Sequence, residues 1–144
     1  ITVKTMLLHH PGQCLGYRIE YKGRSICYIT DNELFLESDE EHYDAFYVKR
    51  LVKFIEGADA LITDSTYTDE EYANGKVGWG HSPISQVANL AAQAKVKTLY
   101  LFHHDPDQDD DAIDAKLATA RAVLDELGSS VICEAPTDST HLKI

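Results

Sequence analysis

Long apolar runs are missing from this sequence. None approaches the ~18 residues needed to span a bilayer, and no stretch has the layout of a secretory signal. Cysteine is sparse: Cys14, Cys27 and Cys133, an odd number at spacings that match no zinc-finger pattern. All three sit in apolar or strand-like surroundings and read as buried free thiols of a protein kept in a reducing cytoplasm. Positive charge is also scarce, with 13 Lys and Arg against 24 Asp and Glu and a formal net charge of −11. That argues against a nucleic-acid-binding surface of the general kind, which needs clustered Lys and Arg. A small anionic substrate held by a metal is still compatible. Internal repeats and linker-like segments are absent as well.

What is present is an ordinary globular composition, 44% hydrophobic and 26% charged over 144 residues, enough for one domain with a core. Ile1–Leu8 alternates like a strand. Gly16–Tyr21 and Arg24–Thr30 alternate again around a Lys22-Gly23 turn, which predicts a hairpin. Ser38 and Glu41 have capping-box spacing, and Tyr43, Tyr47, Leu51, Phe54 and Ile55 recur at helical spacing before Gly57. A helix over Asp39–Glu56 follows. Ala58–Thr63 reads as a buried strand and Tyr67–Gly80 as a loop holding the only tryptophan, Trp79. Ser82 suits an N-cap and Pro83 the first helical position of the next helix. Val96–Phe102 is a strand. The acids Asp107–Asp111 then open a helix with Ile113, Leu117, Ala120, Leu124 and Leu127 on one face, closed by Gly128. Ser130–Glu134 is a last short strand. The order β-β-β-α-β-α-β-α-β describes an α/β domain with a mixed sheet.

The residues that carry chemistry gather at strand ends: His9-His10, Asp31, Asp64 and His103-His104-Asp105, with His81 opening a helix. In open α/β sheets ligands bind beyond the carboxyl ends of strands. Imidazoles with carboxylates suit a borderline ion such as Zn²⁺, and a carboxylate can bridge two metals. Spacing alone leaves each residue open between that role and a turn, cap or solvated position.

The wording of the motifs goes further. HPGQCLGYRIEYKGRSICYITDNE from His10 to Glu33, DSTYTDEEY from Asp64 to Tyr72, GHS at Gly80–Ser82 and LFHHDP at Leu101–Pro106 resemble, in order, the metallo-β-lactamase-fold hydrolases. Within them they are similar to the tRNase Z and phosphodiesterase branch. The resemblance implies an α/β fold: one αββα-type half, a mixed sheet flanked by helices. It implies two divalent metal ions, Zn²⁺ first and Mn or Fe as alternatives. His10 would ligate one metal, Asp31 would bridge both and His103 would ligate the other, with His104 and Asp105 behind. His81 would be the proton donor to the leaving oxygen, oriented by Asp64. Because Asp64 stands where nuclease members more often carry Glu, that contact is expected to be shorter or bridged by water.

One departure matters most. The family's HxHxDH signature is absent, since none of the seven histidines has that spacing. Residues 1–144 therefore look like the C-terminal half of the fold, with too few ligands to be active alone. One sheet face would lack its partner, which predicts a homodimer or association with the N-terminal half. The expected activity of the intact protein is hydrolysis of a small or cyclic phosphodiester. Hydrolysis of a thioester or lactone, and a non-catalytic binding or sensor domain, are the alternatives.

Overall fold

The structure is a computed structural model and describes residues 1–137 and 139–142. Six strands form one sheet in the order of the sequence. They are β1 (Thr2–Leu7), β2 (Leu15–Tyr21), β3 (Arg24–Ile29), β4 (Ala60–Asp64), β5 (Thr98–Phe102) and β6 (Ile132–Glu134). β1, β2 and β3 pair antiparallel, whereas β3 through β6 are parallel. β1 and β3 each run opposite to β2, so β1 points the same way as β3, β4 and β5. With β6, five carboxyl ends thus reach one edge of the sheet.

The register explains the core. Cys27, Leu61, Leu99 and Cys133 are consecutive partners across β3 to β6, and all four are buried. Burial pushes the Cys27 and Cys133 thiols up to about 11, so both are inert packing groups. Onto this row pack α1 (Ala45–Ile55) through Leu51 and Ile55, α3 (Ile84–Ala94) through Val87 and Ala91, and α4 (Asp110–Glu126) through Ala120 and Leu124. Fully burying each of the leucines is worth roughly 1.5–3 kcal/mol. The opposite row is different in kind: Val3, Leu7, Leu15, Tyr17, Ile19, Tyr21 and Tyr28 are exposed. No helix among the described residues is long and apolar enough to cross a membrane.

Three helix boundaries differ from the sequence reading. The first helix begins at Ala45, not Asp39, and the Ser38–Glu41 capping box is not used. The Asp44 carboxylate accepts from the backbone N–H of Phe46 and Tyr47, which makes it the stronger cap, while Asp39 is occupied with His42. Tyr43 therefore lies before the helix. The third helix is capped at Pro83 and starts at Ile84. Ser82 cannot serve as its cap because its hydroxyl donates to the Asn32 carbonyl and accepts from the Leu34 N–H. The expected loop Tyr67–Gly80 also contains a short helix, α2 (Asp69–Ala73), with a Thr68–Glu71 capping box. The Asp107–Asp111 acids do open α4, with Asp109 accepting from the Ala112 N–H. Leu127, however, is exposed, and the buried stripe of that helix includes Lys116 instead.

Candidate functional site

Asp31, Asp64 and His103 stand at the carboxyl ends of β3, β4 and β5, and His10 follows the end of β1. The chain direction alone brings these four to one edge. His81 reaches it from the turn before α3. Asp31 and His103 both adopt left-handed backbone conformations, φ 55° and 57°. For residues other than Gly this is uncommon, and such strain clusters at functional sites.

Asp31 lies between two imidazoles. Its Oδ1 is 4.0 Å from His10 Nε2 and 3.7 Å from His103 Nε2. Ligand atoms of His10, Asp31 and His81 lie within 4.8 Å of one another, as do those of Asp64, His81 and His103. One carboxylate oxygen flanked by two ring nitrogens, all partly open to solvent, is a donor set suited to borderline divalent cations.

Asp64 plays a different part. It is fully buried and accepts from Thr66 Oγ1 at 2.8 Å and from the backbone N–H of Asn32, Thr66 and Ser82. Its Oδ2 lies 2.7 Å from His81 Nδ1. The contact is direct and short, with no space left for a bridging water. This hydrogen bond raises the pKa of His81 above its ordinary value, against the effect of burial. With Nδ1 taken, Nε2 is the free nitrogen of the ring.

Each histidine pair is divided. His9 stacks on Tyr47 at 3.5 Å, and its backbone N–H donates to the Tyr47 hydroxyl oxygen. His104 turns inward to Lys116, whose Nζ lies 2.9 Å from His104 Nδ1. Burial, with the lysine cation second, drives His104 down to about 4, so it is neutral and accepts from Lys116.

Three residues that sequence reasoning passed over hold this edge in place. Lys116 is fully buried and donates to the carbonyls of Ser65 and Thr66 and to Gln108 Oε1. It joins the turns after β4 and β5, although burial lowers its pKa to about 8. The available signal was a lysine one place before Leu117 in an apolar stripe. Thr66 Oγ1, which donates to the Asp64 carboxylate, is also 2.7 Å from the His103 carbonyl. Glu33 is buried and accepts from Tyr72 Oη and from the N–H of Gly78 and Gly80, each at 2.7 Å. Gly80, at φ 92°, passes so close to the His10 ring and Pro11 that a Cβ there would overlap both. Glycine is required at that position on both counts.

Residues 3–104 match the family described as the Beta-lactamase superfamily domain. The chain is 36% identical over 105 residues to a ribonuclease Z of Saccharolobus solfataricus, covering 72% of this chain and 35% of that protein. Human tRNase Z, short form, superimposes with a TM-score of 0.54 at 29% identity, covering 74% of this chain and 37% of that one. Yeast PDE1 superimposes with a TM-score of 0.70 at 10% identity, covering 94% and 43%, a likeness of fold. The chain matches 23–35% of the length of three curated ribonucleases Z.

Proposed function

The chain belongs to the β-lactamase superfamily, and from that premise we propose that it is the C-terminal half of a metal-dependent phosphodiester hydrolase. The observation that carries the reading is the placement of Asp31 between His10 and His103, beside the His81–Asp64 pair. His10 with Asp31, and Asp31 with His103, would hold two divalent cations, Zn²⁺ first. Two ligands for each is short of the four that zinc usually takes, so the remaining ligands come from outside these residues. Such a pair would supply charge to a phosphodiester's non-bridging oxygens and would lower the pKa of water to ~7.

The chain's own residues supply the rest. His81 carries a proton on Nε2 and gives it to the departing oxygen as the bond to phosphorus breaks. Asp64 accepts from Nδ1–H throughout, which fixes the ring and favours its protonated form. The turns braced by Lys116 and Thr66 hold His103 and Asp64 in register.

The relatives named ribonuclease Z favour an RNA phosphodiester more than the acidic composition does. Turnover of bis-p-nitrophenyl phosphate, cyclic nucleotides, an RNA oligonucleotide, a thioester and a lactone by the full-length protein tests the reading. Hydrolysis of the phosphodiesters supports it; turnover restricted to the thioester or lactone rejects it.

The uncovered apolar row on β1, β2 and β3 is an association surface in this proposal. It seats a second copy or the rest of a longer chain. Light scattering that finds a monodisperse monomer with that face free would contradict this part.

A further inference from the structure

Beside His10 lies an open groove of about 420 Å³, lined by His9, His10, Phe35, Glu41, His42 and Gly78. Its wall is a run of rings. Tyr47 stacks on His9 at 3.5 Å with the planes 12° apart, His9 meets Phe35 edge-on at 6.1 Å, and Phe35 stacks on His42 at 5.3 Å and 19°. The run is fixed from behind. The backbone N–H of His9 donates to the Tyr47 hydroxyl, and the His42 ring is tied to Asp39 at 3.0 Å. Glu33, also in the lining, accepts from the N–H groups of Gly78 and Gly80. The rings of His9, Phe35 and His42 thus line one groove together with Gly78 and His10.

We infer that this groove is a subsite for a nucleobase, occupied by the nucleoside joined to the scissile phosphate. The inference rests on the phosphodiesterase reading, because the groove and the candidate metal centre share His10. Base stacking on aromatic rings needs no net positive charge. An acidic chain can thus hold a nucleotide through its base, where a lysine-rich surface would hold it through its phosphates. Exposed Glu41 at the rim can accept from an exocyclic amino group.

Calorimetric titration of the protein with AMP and with ribose 5-phosphate, which lacks the base, tests this. AMP is expected to bind about tenfold more tightly, in line with the worth of one stacked base. Phe35→Ala and His42→Ala are each expected to weaken AMP binding and leave ribose 5-phosphate unchanged. His42 is exposed, so its variant remains informative if loss of the half-buried Phe35 ring disturbs folding. Equal affinities for the two ligands, or AMP binding unmoved in His42→Ala, overturn the subsite. Because the readout is binding, absence of phosphodiester turnover would sink the proposed activity without deciding the subsite. A further titration with 3′,5′-cyclic AMP and the dinucleotide ApA separates the sources. Preference for ApA over the cyclic ligand assigns the groove to RNA, and the reverse assigns it to a cyclic nucleotide.

Discussion

Two buried aspartates sit five residues apart around one strand, and they do opposite things. Asp59 lies just before β4, at the amino edge of the parallel sheet. It receives Lys97 Nζ at 2.7 Å, Arg24 at 3.0 Å and the Ser25 N–H at 2.8 Å. Asp64 ends the same strand at the carboxyl edge and meets no Lys or Arg among the described residues. Its partners are His81, a threonine hydroxyl and backbone N–H groups. At one edge a carboxylate is matched by two cations. At the other, two carboxylates and three imidazoles collect around positions of strained backbone. The first is how a fold neutralises a buried charge. The second leaves charge unmatched where a cation and a substrate would complete it.

The largest break in that comparison should come from His81. On the proposed function, His81→Ala in the full-length protein is expected to lower phosphodiester turnover by ~10²-fold, the usual worth of a positioned proton donor. Unchanged turnover would remove His81 from the reaction. Lys116→Met comes next. It strips the donor from the Ser65 and Thr66 carbonyls and from Gln108 Oε1. Leaving such buried acceptors unpaired should cost about 2 kcal/mol in urea unfolding. A variant as stable as the parent would show that the buried lysine is not a brace.

Asp59→Asn should be the mildest, below about 1 kcal/mol at neutral pH, because Arg24 and Lys97 are themselves mostly exposed. Its signature is the pH dependence. Lys97 first, with Ser25 and Arg24, holds the Asp59 carboxyl at about 2, below its ordinary 3.8. The folded form thus binds this proton less readily than the unfolded chain. The contribution is complete above pH ~4 and is lost as pH falls from there toward 2. Asp59→Asn should flatten that part of the acid-unfolding curve, and an unaltered curve would contradict the pairing.

The fold was largely legible because its signals are local and redundant. The alternation of β2 and β3 around Lys22-Gly23, the Leu51–Ile55 stripe and the Gly57 and Gly128 stops each suffice within a few residues. Helix starts were less legible, because a cap is a competition among nearby polar side chains. Asp44 won over Ser38, and Ser82 was drawn off by Asn32 and Leu34, 50 and 48 residues away in sequence. The five candidate site residues follow from motif wording; strand direction brings four of them together, and the turn before α3 adds His81. Lys116, Thr66 and Glu33 were missed for the opposite reason. Each braces the edge through at least one partner remote in sequence, 50, 37 and 39 to 47 residues away, and no spacing rule reports that.

The central claim is that Asp31, between His10 and His103, is the core of a divalent metal centre. Asp31→Asn tests it with little disturbance, since asparagine tolerates the left-handed backbone found there. Calorimetric titration with Zn²⁺ should show binding to the parent chain and a loss of more than about tenfold in the variant, since even an outer-shell partner is worth that much. Equal Zn²⁺ affinity in parent and variant would contradict the account.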